Sequence, residues 1–281
     1  MHPELLPKRP CPSPAFLPRK RPLAKCRTAK SRKKKDHTSA FRIPAVQSGQ
    51  QQKGGLFHDT NTRFDSPPGG HPITPLRVLD VSRWQGCIDW DAVQRSGAID
   101  GVMLRVLGSR NGQPYPDPQF ERNHAACTAR GIPVGGYYYT CAVTSRQTEA
   151  ELNALRAALR GKTFQLPLAI DVENARLRSL SPAALAQRVA QAAAQLEAWS
   201  LYAMVYTYTN FADTALAMDA LTAYDLWLAD YRGKRPTRPH GMWQYTSTGH
   251  VAGIDGPVDL SRAYKDYPAL CRRAGLGRFS G

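Results

Sequence analysis

Along residues 76–264 the apolar positions fall into short runs separated by polar, Gly- or Pro-bearing links, and the spacing within each run decides what it can become. "LRVLDVS" (76–82), "GVMLRVL" (101–107), "IPVGGYYYT" (132–140), "FQLPLAIDVE" (164–173) and "YAMVYTYT" (202–209) are short runs rich in branched and aromatic residues, and they read as strands. Segments with helical signals lie between them. A short helix at 90–95 ends at Gly97, and another at 118–130 closes at Gly131. Thr144 with Gln147 forms a capping box for a helix to Arg160, which Gly161 stops. Ser181 and Pro182, as N-cap and first helical residue, open a long Ala-rich helix to about residue 199. A further short helix is expected at 214–218. After it come "YDLWLADY" (224–231), "GMWQYT" (241–246) and "GPVDLSRAY" (256–264), three strands joined by links with no helical pattern.

Strand–helix alternation implies a parallel sheet, and eight strands imply that the sheet closes. The expected fold is therefore α/β: a single modified TIM-like barrel, five β/α units followed by three strands with few helices. The barrel is assigned to residues 74–267, followed by a short tail at 268–281. In such barrels functional side chains gather at the C-terminal ends of the strands.

Residues 1–73 have no apolar period. They hold 11 of the 22 prolines and 15 Lys and Arg against 4 Asp and Glu, a net charge of +11, whereas residues 74–281 carry +5. Such a segment buries too little surface to offset the entropy of ordering, so it is expected to be disordered. A run that begins at Arg19 and closes at Lys35 has ten basic residues and no acid, a patch for nucleic acid, acidic lipid or anionic wall polymers. No secretory signal is visible. The six cysteines, Cys11, Cys26, Cys87, Cys127, Cys141 and Cys271, have no metal-ligand spacing. They are expected to be incidental or buried thiols from a reducing compartment, with a Cys127–Cys141 bridge left open. No metal and no cofactor is expected.

The candidate chemistry sits in "LAIDVE". Asp171 and Glu173 share one face of a strand, with Cα atoms about 6.5 Å apart at about 3.3 Å rise per residue. Two carboxylates that close in a partly buried place repel, which pushes one pKa up and separates an acid from a base. Asp80 lies in the first strand, and Asp259 lies in the last, which a closed barrel sets beside the first. Aromatic residues occupy the same strands: Trp84 just after the first, Tyr137 and Tyr139 in the third, Tyr206 and Tyr208 in the fifth, Trp243 and Tyr245 in the seventh. Flat rings around a carboxylate-lined groove suit a sugar, although alternation sends about half of them into the barrel wall. Arg105 and Gln244, from the second and seventh strands, complete the expected substrate contacts.

Three blocks, "LDVSRWQGCIDW" (79–90), "LAIDVE" (168–173) and "WQYTSTGHVAGIDGPVDLS" (243–261), resemble in order and spacing the signature blocks of glycoside hydrolase family 25, the Chalaropsis-type lysozymes that include phage endolysins and autolysins. The resemblance implies a β/α-type barrel with reduced late helices and N-acetylmuramidase action on peptidoglycan glycan strands. It further implies Glu173 as general acid, with Asp171, Asp80 and Asp259 as companion carboxylates. Tyr138, where the family often has His, and Ser261, where it often has Asn, depart from the pattern. A monomer is expected, made in the cytoplasm and acting on the cell wall by a route other than a standard signal peptide.

Two other classes are weighed against this one. Chitinases resemble one another through D-x-x-D-x-D-x-E on the fourth strand, and here the first two acids are Leu166 and Ala169. A non-catalytic wall- or nucleic-acid-binding protein would use the basic segment as its working part. The charge split yields a prediction about that segment. Deleting residues 1–73 should leave the barrel folded and able to cut soluble wall fragments while weakening action on intact anionic walls, an attraction that fades with added salt. A truncated protein that fails to fold, or that keeps the same salt response in a turbidity assay, contradicts this.

Overall fold

The computed structural model describes residues 74–279, and the basic run at 19–35 lies outside them. Nine strands form one sheet: β1 (Leu76–Val81), β2 (Gly101–Arg110), β3 (Gln113–Pro116), β4 (Val134–Tyr139), β5 (Leu168–Asp171), β6 (Ala203–Tyr208), β7 (Asp225–Ala229), β8 (Met242–Gly249) and β9 (Val258–Ala263). Six helices accompany them: α1 (Trp90–Ser96), α2 (Phe120–Ala129), α3 (Ser145–Leu159), α4 (Pro182–Ala198), α5 (Thr209–Thr214) and α6 (Tyr267–Ala274). Every strand but β3 joins a closed ring in the order β1, β2, β4, β5, β6, β7, β8, β9, with β9 returning to β1. The expected α/β barrel is present, with its helices concentrated in the first five units.

Its closure differs from an all-parallel barrel in one respect. β9 pairs antiparallel with both β8 and β1. Parallel neighbours need a crossover of a dozen or more residues, and the connection at 250–257 is too short and carries no helix, so the chain must turn back as a hairpin. The first residues of β9 therefore lie beside the last residues of β1, with Asp259 opposite Asp80.

Alternation sorts the core into two layers. Val78, Met103, Ala169, Met204, Trp227, Met242 and Ala263 fill the barrel interior. Their outward neighbours Leu79, Leu104, Ile170 and Val205 pack against the helices. The long helix α4 buries Leu185, Ala186, Val189, Ala192, Ala193 and Leu196, a stripe at helical spacing, and Ser181 caps it by accepting from Ala184 N. The Thr144–Gln147 capping box opens α3 as expected. Within α3, buried Glu151 accepts from Thr140 Oγ1 at 2.6 Å and from Cys141 N at 3.2 Å, fastening the helix to the end of β4. Cys127, Cys141 and Cys271 are buried free thiols, so no Cys127–Cys141 bridge forms.

Three segments differ from expectation. The loop after β2 is a hairpin turning at Asn111 and Gly112, whose φ of 54° and 76° fit the two central positions of a type I′ turn. The short helix expected at 214–218 forms earlier, at Thr209–Thr214. Most of residues 268–281, taken as a tail, belong to α6 and the turns after it. Asp266 caps α6 by accepting from Ala269 N, Pro268 sits in its first turn, and Gly275 ends it in the left-handed conformation at φ 66°.

Tyr267 of α6 plugs the barrel end opposite the strand C-termini. It is fully buried, stands edge-on to Tyr202 at 5.4 Å, and donates to Asp225 Oδ2 at 3.1 Å, beside Tyr202 at 2.7 Å and the Lys265 ammonium at 2.6 Å from the same carboxylate. Tyr267→Ala should cost about 3–5 kcal/mol, the range for emptying a buried aromatic site. Tyr267→Phe, which removes one hydrogen bond, should cost about 1 kcal/mol. Urea unfolding checks both, and an Ala variant as stable as wild type would show that α6 is an appendage.

Candidate active site

Strand parity builds the site. Asp80 faces inward near the end of β1, Asp171 near the end of β5, and Glu173 two residues beyond it on the same face. Asp259 joins them because β9 runs the other way: at the start of a parallel strand it would face the far end of the barrel. Together the four carboxyl side chains line a cavity of about 330 Å³ at the strand C-termini. Trp227, from β7, lies in its wall, with Tyr206 edge-on at 4.6 Å and Tyr137 edge-on at 6.1 Å. Tyr139, Trp84, Arg83 and Tyr115 complete the rim.

Asp80, Arg105, Tyr139 and Trp227 are held by side chains around the cavity. Asp80 accepts from Gln244 Nε2 at 3.0 Å, while Gln244 Oε1 accepts from Tyr206 at 2.9 Å and Tyr231 at 2.6 Å. Those two hydroxyls fix the amide so that its NH₂ must face Asp80. Arg105 gives its Nε to Asp117 Oδ2 at 2.8 Å, and Asp117 also accepts from the backbone N–H groups of Arg83 and Gln119 at 3.0 and 2.9 Å. Asn174, just past Glu173, donates to the Tyr139 hydroxyl at 2.8 Å. Ser261 receives Trp227 Nε1 at 3.0 Å.

Electrostatics follow from this crowding. Burial raises Asp80 well above the usual carboxylate range, and repulsion from Asp259 adds to it, with the Tyr137 hydroxyl and Arg105 pulling the other way. Asp171 is likewise raised well above its ordinary value, by burial, then by Glu173 and Asp80, against Arg105. Glu173 is raised by burial first and by Asp259 second, and Asp259 by burial. Asp171, the deeper group, is pushed up the more strongly of the two, because burial takes from a carboxylate the solvent that stabilises its charge. Its Oδ1 is buried and accepts no hydrogen bond among the described residues. Burial also holds Tyr137 and Tyr206 far above the ordinary phenol range, leaving them as neutral donors.

The sequence-derived contacts divide by strand face. Trp84, Arg105, Tyr137, Tyr139 and Tyr206 line the cavity, and Gln244 stands behind it. Trp243 and Tyr245 do not reach it. In β8 the inward positions are Met242 and Gln244, so both rings lie on the outer face, where Trp243 Nε1 donates to Asp230 O at 2.8 Å and Tyr245 sits under the Arg262 guanidinium at 5.3 Å. Tyr208 packs against Phe211 at 5.7 Å and borders a neighbouring depression with Tyr231 and Arg232. Tyr138 is buried on the outer face of β4, so that departure from the family pattern does not touch the cavity. Arg83, Tyr115, Asp117 and Trp227 were not anticipated. The Asn-Gly turn that brings Tyr115 over β2 was legible, as was Gly108, where a Cβ would meet the Tyr115 ring at 2.3 Å. Among the described residues no group of three His, Cys, Asp or Glu is arranged to hold a metal ion.

Comparison with known proteins places this arrangement. The model of the family "Glycosyl hydrolases family 25" matches residues 79–254. YegX of Escherichia coli strain K12 is 32% identical over 193 residues, covering 66% of this chain and 68% of that protein. Lysozyme M1 of Streptomyces globisporus is 26% identical over 232 residues, covering 74% and 78%. The structure of the modular autolysin LytC from Streptococcus pneumoniae in complex with a synthetic peptidoglycan ligand superposes with a TM-score of 0.58 at 24% identity, over 66% of this chain and 46% of that one. A family model matching residues 79–254, together with a relative 32% identical over 66% of this chain, makes this chain a member of glycosyl hydrolase family 25.

Proposed function

We propose that the protein is a lysozyme-type peptidoglycan hydrolase, an N-acetylmuramidase that cuts the β-1,4 bond between N-acetylmuramic acid and N-acetylglucosamine. One observation carries this reading: Glu173, partly buried at the rim, shares a face with buried Asp171 inside an aromatic-walled cleft of raised carboxyls. A glycosidic oxygen is a poor leaving group until protonated, and Glu173 is the acid whose position lets it meet that oxygen. Burial, and then Asp259, make its proton harder to lose than that of a free glutamate. The Arg105 guanidinium favours charge on Asp171 against its burial, and Glu173 is less buried than Asp171 and Asp80, so its proton is the one a substrate at the rim can reach. Asp171, with an oxygen that lacks a protein donor, then faces the positive charge that grows at the anomeric carbon or in a ring formed from the neighbouring acetamido group. Trp84, Tyr139 and Tyr115 offer flat faces to the sugar rings.

A chitinase-type reading is disfavoured by the barrel interior. The positions where those enzymes carry two further acids, Leu166 and Ala169, are buried among apolar side chains. By the muramidase reading the protein acts on the wall, and residues 1–73 bring their net +11 to anionic wall polymer or lipid.

Two variants test the assignment through reducing-end release from purified peptidoglycan, with mass spectrometry of the products. Glu173→Gln should lower turnover by about 10² to 10⁴ while circular dichroism stays unchanged. Products ending in N-acetylglucosamine, or near-normal turnover by folded Glu173→Gln, reject the reading. Asp259→Asn removes the negative charge that helps raise Glu173, so Glu173 loses its proton at lower pH. The alkaline limb of the pH–rate profile should move to lower pH, with much of the maximal rate retained. An unmoved limb would mean that Glu173 does not set it.

A further inference from the structure

We propose that Arg83 is a specificity-determining residue that binds a carboxylate on the glycan's lactyl side chain, so that the enzyme selects muramic acid beside the bond it cuts. This rests on the muramidase reading and names the part of the substrate that reading leaves open. Arg83 lines the cavity from the turn Arg83–Gln85, and that turn is rigid: Ser82 and Gln85 form a reciprocal capping box, and the Arg83 backbone N–H is anchored on Asp117. Its guanidinium lies 4.6 Å from the centre of the Trp84 ring and 5.7 Å from that of Tyr115. Among the described residues it makes no ion pair, although four carboxyl groups line the same cavity. Arg105, the deeper cation, is tied to Asp117 at 2.8 Å.

A cleft walled by acids repels an anionic polymer unless a cation meets the anion at the rim. Arg83 is that cation: oriented by aromatic rings, presenting a planar fork, and not engaged by the acids below it. Muramic acid differs from glucosamine by its lactyl ether, whose carboxyl is free on stripped glycan and amide-linked to the stem peptide on intact wall. In the second case the nearest carboxylate belongs to the peptide. Both sources present the same chemistry on the same branch of the sugar.

The test compares wild type, Arg83→Gln and Arg83→Lys on three soluble glycans: peptide-free with the lactyl acid free, the same glycan with that acid methyl-esterified, and peptide-bearing glycan. Wild type should favour the free acid over the ester by about 10- to 100-fold in KM, the scale of a charge-assisted hydrogen bond. In Arg83→Gln that preference should collapse towards unity through KM rather than kcat, and Arg83→Lys should restore part of it. A preference for peptide-bearing glycan that is lost in Arg83→Gln identifies the peptide carboxylate as the anion met on intact wall. If Arg83→Gln keeps the wild-type preference on every glycan, the assignment of Arg83 is wrong while the muramidase reading stands. If wild type cuts none of the three, the muramidase reading falls and takes this one with it.

Discussion

The structure depends on one pairing, β9 antiparallel to β1, which sets Asp259 directly opposite Asp80 and closes the barrel. Closure removes both edges of the sheet and leaves one open end where inward side chains from different strands meet. Because β9 runs against its neighbours, its first residues and the last residues of β1 and β5 share that end. Four carboxyl groups thereby line a cavity of about 330 Å³, with Arg105 the deep cation, its Nε bonded to Asp117 and one terminal nitrogen 2.8 Å from the same oxygen. Four negative charges there would repel strongly, so these carboxyl groups hold their protons to higher pH than free acids do, which is what acid catalysis asks of them.

The surroundings convert crowding into placement. Gln244, oriented by Tyr206 and Tyr231, gives Asp80 a donor on one side. Asp117 binds both arginines of the cleft, Arg105 through its guanidinium and Arg83 through its backbone N–H, so the deep cation and the rim cation share one anchor. Trp227, held by Ser261, supports Tyr137, whose hydroxyl bonds to Asp80, and Tyr206, whose hydroxyl is given to Gln244. Depth then separates Asp171 from Glu173. Two residues along one strand carry the chain from a buried position to the rim, where Glu173 can reach a substrate oxygen.

Most of the barrel was legible because its helices have strong local punctuation, such as the Thr144–Gln147 box and Ser181–Pro182, and because strand parity is a rule of the backbone. Parity also set Asp171 and Glu173 on one face, and both line the cavity. The errors have physical sources. The direction of β9 depends on connection length, and the short link before it was the sign of a hairpin. Trp243 and Tyr245 were grouped with Gln244 although neighbours in a strand face opposite ways. The Asn111-Gly112 hairpin signal went unused, which hid Tyr115, and Asp266, Pro268 and Gly275 mark α6 as clearly as any helix upstream. The proton balance between Asp171 and Glu173 was beyond reach, since it depends on burial depth and on Arg105, neither of which spacing reveals.

The central claim, that the fold concentrates these acids against its own stability, is tested most directly by the thermal stability of Asp171→Asn as a function of pH. Asp171 has a folded-state pKa raised above the ordinary value of about 3.9, so in the wild type its contribution is intact below that pH and is lost as pH rises towards the folded-state value. Asparagine does not ionise and escapes this loss. The variant should therefore melt above wild type at pH 7, by about 2–4 °C for each kcal/mol relieved, and the gap should shrink to the pH-independent difference between the side chains below about pH 3. A variant that melts at or below wild type at pH 7, with no change in the gap on acidification, would contradict the account.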